Sequence, residues 1–467
     1  MKNNYKINED ALFCVTGEPF ADAGGFALKE LATQFPDKDI LELIAFVTRI
    51  YVDRWDAKIN PYFLNAKVTQ SAFDSERKKA ESIAYFKGLL DGTVPSEKGY
   101  CRITGQYTDL YKAGRDNTVL SGSGKFVNFH HTFATGMMLS KEMLIRYYFL
   151  PLASEQVQSK IAVISSSNAA VAELYARRCC ARILSDVGKN HSQEILKSEC
   201  RSVGTAIFRF LDDVYTMYKD EGKGDSITLY HFTNFAASPE VQIYTLPSQV
   251  FLFYRICNNV LYRQEWNDFV ARHYTSNKYK KASFDSQSNN YVMSGNKSET
   301  VVIEEKEYRY WKNSIYDDLL SGNSILKPIL KYSKQSAFNL DLLRIYLITI
   351  RNMKKETVEK IYQIADFIMQ AYDESDMKGI IKTLDGVKNP FLLRRFILKK
   401  VIEKNYLQGN DMLVSVDDYV NYLFPDTSSW METRDVLLIA IYQRLHEKHV
   451  DVEIENGDED NFGDDLE

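Results

Sequence analysis

The chain has 467 residues, more than one ordinary core holds, so two or three domains are expected. A hydrophobic share of 45% and a charged share of 26% are those of a soluble globular protein with enough apolar residues for a sizeable core. The N-terminus has no apolar leader and no run reaches about 18 uninterrupted apolar residues, which excludes a membrane-spanning helix and makes a cytoplasmic location the expectation.

The net charge of -5 hides an asymmetry. The last seventeen residues, 451–467, hold nine acids and no Lys or Arg, so removing those nine charges leaves +4 on the other 450 residues. Such a tail reads as a disordered, solvated end; the other reading is that it covers a basic surface until nucleic acid displaces it. Aromatics make up 13% of the chain, which serves core packing or surfaces on which bases stack. Six cysteines form no CxxC pair, and neither a disulfide framework nor a zinc site is indicated.

The first segment with character is VTGEPFADAGGFALKELATQF, residues 15–35. Gly17, Gly24 and Gly25 do not have the GxGxxG spacing that lets a backbone approach a pyrophosphate, so the segment predicts a tight turn at Gly17-Glu18-Pro19 and a helix from near Asp22. Residues 38–55 place Ile40, Ile44, Val47 and Tyr51 on one helical stripe. Residues 93–136 lack helical periodicity and read as loops and short strands. Within them, Gly124-Lys125 is followed by Phe126, where a Walker loop needs Ser or Thr for magnesium, and no glycine stands five residues earlier. What remains is a glycine loop with one cation: Gly122, Ser123, Gly124, Lys125 and Asn128 form either a nucleic-acid contact or a plain surface loop.

Further along, residues 160–184 read as strand, polar turn and helix, the helix starting near Ser167 or Asn168. The segments 226–235 and 241–247 are β-branched and aromatic and predict a pair of strands, followed by a helix from Ser248. Residues 275–300 are polar and predict a long loop. After about residue 338 the pattern is helical; Val358, Ile361, Tyr362, Ala365, Ile368, Met369 and Tyr372 recur at three-four spacing. The expected fold class is α+β: a mixed α/β N-terminal body with a β-hairpin region, residues 1–337, then a C-terminal α-helical bundle, 338–450, and the acidic tail.

Metal and catalytic constellations are weak. His130 and His131 are adjacent and point to opposite faces of a strand, and HEKH at 446–449 is one residue short of HExxH. Asp212-Asp213 reads as a solvated carboxylate pair on a helix. Two basic clusters carry more. Residues 271–281 interleave Arg272, Lys278, Lys280 and Lys281 with Tyr274 and Tyr279, and residues 394–400 place Arg394, Arg395, Lys399 and Lys400 on one helix. Each is either a phosphate-contacting stripe or a solvated face.

Three segments, TGEPFADAGGFAL, NFHHTFATGMMLSKEMLIRYYFLPLA and YHFTNFAASPEVQIYTLPSQVFLF, in this order and at these intervals, resemble one family, with NPFLLRRFILKKVIEKN and YVNYLFPDTSSWMETRDVLLIAIYQRL fitting its helical end. The family is the large subunit of type I-B CRISPR effector complexes (Cascade), in the branch named for a CXXC-CXXC zinc motif. The chain departs from it where Thr104 stands in place of the second cysteine after Cys101, and GMMLSKEM carries no cysteine. The expectation is that the metal is lost and that apolar contacts pack the region.

The resemblance implies a non-enzymatic protein without cofactors. It implies binding of the CRISPR guide RNA at its handle and of target double-stranded DNA at its PAM, PAM recognition and help in opening an R-loop. Its partners would be the backbone, handle-binding and small Cascade subunits and a helicase-nuclease or transposition proteins. Lys125 would then meet phosphate, Asn128 a base edge, and the basic stripes the displaced strand or guide backbone. An internal start at Met353 would give a separate small subunit of 115 residues. Two alternatives stand beside this: a scaffold without PAM readout, and a nucleotide-binding enzyme.

Overall fold

A computed structural model describes residues 2, 4–121, 137–217, 225–234, 240–295, 300–425 and 429–450. The glycine loop with Gly122, Ser123, Gly124, Lys125 and Asn128, the His130-His131 pair and the acidic tail lie outside the described residues. The fold is α+β, with the strands of the described residues all at or before Asn313 and helices through the chain beyond it. The chain forms two compact units. The first holds Met1–Phe251, Thr275–Ala282 and Tyr291–Leu320; the second holds Leu252–Tyr274, Ser283–Asn290 and the chain from Ser321. No helix of the described residues is long and apolar enough to cross a membrane.

The first unit is organised by a four-stranded antiparallel sheet of Glu155–Val157, Lys160–Ser166, Ile227–Thr233 and Glu240–Leu246, in that spatial order. Ile161, Ala162, Val163 and Ile164 are all buried, so this strand is covered on both faces and needs no alternation of polar and apolar residues. The hairpin expected at 226–247 is present, with Tyr230 opposite Ile243. Asn168 caps the following helix, Ala169–Gly188, by accepting from the Ala170 amide at 3.1 Å.

Against this sheet lies the helix Pro19–Gln34, whose Phe20 meets Tyr230 and Phe232 edge-on, with ring centroids 5.4 and 5.0 Å apart. The helix begins at Pro19, three residues before the expected Asp22. Proline suits the first helical position because its missing N–H is unsatisfied there anyway, and Glu18 takes the capping role. The stripe of Ile40, Ile44, Val47 and Tyr51 is buried as its spacing predicts, on a helix, Ile40–Arg49, that opens into a π turn over Ile50–Arg54.

One expectation fails. The polar stretch 275–300 contains strands Ser283–Asp285 and Asn290–Ser294, and the latter pairs antiparallel with Thr300–Ile303, Tyr291 opposite Ile303. The strand depends on a buried Tyr291, which packs against Tyr308 and Trp311 at 5.1 and 5.2 Å. Distant aromatics, rather than local composition, decide it.

The second unit is built round the helix Trp430–Glu447, in which every residue from Asp435 to Tyr442 is buried, so that it is enclosed on all sides. The Lys355–Ala371 helix turns Val358, Ile361, Ala365 and Ile368 inward, as the three-four spacing predicts. The Pro390–Phe396 helix runs into a π turn at Ile397–Ile402 that keeps Ile397 and Val401 buried. Phe253 and Phe269 flank Trp266 at 5.5 and 5.7 Å, and Phe269 also meets Phe338 at 5.5 Å.

Candidate functional site

The glycine segment at 15–25 uses its polar groups internally. The Asp22 carboxylate accepts from the Thr16 amide at 3.0 Å, the Thr16 hydroxyl at 2.6 Å and the Gly17 amide at 2.9 Å, and Glu18 accepts from the Ala21 amide. The amides a phosphate would use are therefore occupied. Asp22 also forms an ion pair with Arg146, whose guanidinium donates to the carbonyls of Ala21 at 2.8 Å, Cys14 at 2.8 Å and Ala11 at 3.2 Å. Gly24 and Gly25 lie where Arg146 passes. A Cβ on Gly24 would overlap the Arg146 carbonyl, and one on Gly25 would lie 2.7 Å from its Nε.

Cys101 sits in a tight turn. Its amide donates to the Gln106 carbonyl at 2.9 Å, its carbonyl accepts from the Gly105 amide at 2.8 Å, and Gly105 adopts φ +66°. Burial pushes the Cys101 thiol up, but hydrogen bonds from the Thr104, Ser140 and Ile103 backbone outweigh it and hold the thiol below its ordinary value. Among the described residues no group of three or more His, Cys, Asp or Glu could hold a metal ion. His446 has its Nε2 2.8 Å from the Ser333 carbonyl. Asp212 and Asp213, expected as a solvated pair, are in ion pairs with Arg209 and Arg178.

The predicted cations fall into three situations. Arg272 is half-buried in the second unit, its guanidinium 4.5 Å from the Tyr332 ring centroid and hydrogen-bonded to Ser336 at 3.0 Å; it serves packing. On the helix that runs through 394–400, Arg394 lies 5.2 Å over Phe424, while Arg395, Lys399 and Lys400 are exposed and Lys399 pairs with Glu403 at 2.9 Å. Lys278, Lys280 and Lys281 are exposed on the first unit.

Lys278 and Tyr279 open onto an 820 Å³ cavity that the first unit builds from four stretches of chain: Gln158, Glu199 with Arg201, residues 275–279, and residues 306–312 with Lys306, Tyr310, Trp311 and Lys312. Tyr279 stacks on the buried Trp311 at 5.3 Å with 28° between the rings. The Lys278 ammonium lies 4.5 Å from the Tyr279 centroid and 4.0 Å from Glu307. A hydrogen bond with Tyr279 raises Lys278 above its ordinary value, Glu307 acts the same way, and the nearby Arg201 charge opposes it.

Arg201 is fixed through its backbone. Its amide donates to the Tyr310 carbonyl at 2.8 Å and its carbonyl accepts from Gln158 at 3.0 Å. Tyr310 and Glu199 also line a second, 170 Å³ cavity with Arg182, Arg209 and Arg309. There Arg182 pairs with Glu199 at 3.0 Å and Arg209 with Asp212 at 2.8 Å. Arg309 lies 5.1 Å over the Tyr310 ring with its Nε buried and unpartnered.

Of these residues the sequence reading singled out only Lys278 as a site. KEYRYWK, 306–312, interleaves basic and aromatic residues in the same way as 271–281, and that pattern could have found the other wall. Arg201 carries no comparable local signal. No protein-family model matches the chain, and no curated protein matches it either.

Proposed function

We propose that this chain is the large subunit of a type I-B Cascade complex: a cytoplasmic, non-enzymatic protein that binds the guide-RNA handle and PAM-proximal target DNA and assembles with the other Cascade subunits. The observation that carries the reading is that the three resembling segments, far apart in sequence, share one core. Arg146 of the second segment bonds Asp22 of the first, and Phe20 of the first packs on Tyr230 and Phe232 of the third. A family-wide pattern of small and apolar residues has a physical reason if those residues meet. The Cys101–Gly105 turn adds support, since it aims backbone donors at a single thiol with Thr104 where a second sulfur would stand.

In this role the glycine segment with Gly122, Gly124 and Lys125 reads the PAM, Lys125 on phosphate and Asn128 on a base edge, and base pairing with the guide supplies the rest of the specificity. Arg395, Lys399 and Lys400 face the displaced strand or the guide backbone. The subunit also helps recruit the helicase-nuclease or transposition proteins.

The test is binding of the reconstituted guide-RNA complex to target duplexes with randomised PAM positions, with and without this subunit. Loss of PAM preference on omission, and on joint Lys125→Ala and Asn128→Ala substitution, is the expected result. Loss only on omission keeps the role and discards the loop. Unchanged preference without the chain overturns the reading in favour of a scaffold.

A further inference from the structure

Four features of the first unit converge on one surface. The 820 Å³ cavity has Arg201, Lys278, Lys306 and Lys312 on its walls against Glu199 and Glu307. Lys306 and Lys312 have carboxylate partners in Glu304 at 2.7 Å and Asp317 at 3.6 Å. Arg309 lies over the Tyr310 ring with its Nε buried and unpartnered among the described residues, and the exposed Arg201 lines the cavity. The two flank Tyr310, Arg201 through its backbone bond and Arg309 over the ring. Arg201 and Lys278 line the same cavity, where a phosphate would compete with Glu307, 4.0 Å from the Lys278 ammonium.

A carboxylate peptide would use the cations and leave the aromatic planes idle. A single-stranded nucleic acid uses both: phosphates meet cations, and unstacked bases lie on tyrosine rings and guanidinium planes. Glu199 and Tyr310 line both cavities, so the second one, with Arg182, Arg209 and Arg309, adjoins the first. We propose that the Arg201–Lys278–Tyr310 cavity is a single-strand nucleic-acid site, in which Arg201, Arg309 and Lys278 hold successive phosphates and Tyr310 supports a base. The proposal rests on the nucleoprotein reading above but not on PAM recognition, because it concerns a strand already unpaired.

The experiment uses the purified full-length chain without guide RNA and a fluorescein-labelled oligothymidine, with anisotropy read over a range of salt. The expected result is salt-dependent binding that Arg201→Gln with Lys278→Gln weakens at least about tenfold, lowering the slope of log affinity against log salt by about 1.4, since each single-strand phosphate contact contributes about 0.7. Tyr310→Leu weakens binding without changing that slope. Lys58→Gln with Lys98→Gln, exposed cations elsewhere on the unit, leaves both unchanged. Ultraviolet crosslinking should place the adduct on Tyr310 or Tyr279. Thermal melting confirms that each variant is folded, and Arg201→Lys, which keeps the charge, should restore most of the affinity. Absence of binding by the wild-type chain, equal displacement of the oligonucleotide by polyglutamate, or wild-type affinity in the double variant overturns the proposal. PAM preference that stays unchanged when the chain is omitted from the complex overturns the PAM reading and leaves this one standing, so the two readings fail separately.

Discussion

Arg146, with a side chain 1% exposed, holds the Asp22 carboxylate in an ion pair while its remaining donors reach three main-chain carbonyls of residues 11–21. A charge in the apolar run of 143–153 thus ties the N-terminal segment to the core. Removing one partner of a buried pair strands the other charge, so Asp22→Ala should destabilise the first unit by about 3–5 kcal/mol. Asp22→Ala with Arg146→Met should cost less than the two single changes added together. Urea denaturation followed by tryptophan fluorescence reads both.

Gly17 and Gly24 are seven residues apart and are glycine for different reasons. Gly17 has φ +84° with open space beside it, so Gly17→Ala meets only backbone strain of about 1–2 kcal/mol. At Gly24 a methyl group runs into the main chain of Arg146, which cannot swing aside as a side chain can. Gly24→Ala should therefore cost more than Gly17→Ala, at least about 3 kcal/mol. Comparing the melting temperatures of the two variants decides it.

Burial pushes the Glu18 carboxyl up to about 7, over opposing hydrogen bonds from the Ala21 amide and the Tyr147 hydroxyl. The unfolded chain ionises the same group near its ordinary 4.5. The stability it contributes is therefore complete below pH 4.5 and is lost as the pH rises through about 7, a fall of at most about 3 kcal/mol. Glu18→Gln keeps an acceptor for the Ala21 amide and removes the titration. Its melting temperature should change less than that of wild type between about pH 5 and pH 8.

Cys14 is exposed and Cys101, Cys179, Cys180, Cys200 and Cys257 are buried. Burial pushes the Cys179 and Cys200 thiols up to about 12. A disulfide-exchange reagent should modify one thiol rapidly in the native chain and all six after denaturation, and Cys14→Ser should abolish the fast phase. A second fast thiol would place Cys101 nearer solvent than its turn suggests.

How much of this was legible depends on how far apart the deciding residues lie. The stripe of Ile40, Ile44, Val47 and Tyr51 and the strand at 160–166 declare themselves within a dozen residues, and both were readable. Asp22 looked like a helix start because its partner Arg146 is 124 residues away. Strand Asn290–Ser294 was invisible because its polar neighbours conceal a Tyr291 whose packing partners come later in the chain. The basic-aromatic cavity is the extreme case, with walls near residues 201, 278 and 310. Arg272 shows what a run of cations conceals: its guanidinium lies over Tyr332, a partner sixty residues on.

The chain passes between its two units after Phe251, Tyr274, Ala282, Asn290 and Leu320. A product beginning at Met353 would lack Phe253, Trp266, Phe269 and Phe338, as well as the Leu326–Ser333 helix that contributes Ser333 to the His446 contact. Neither unit is one continuous block of sequence. A single breakpoint anywhere between residues 252 and 320 would take residues from both units.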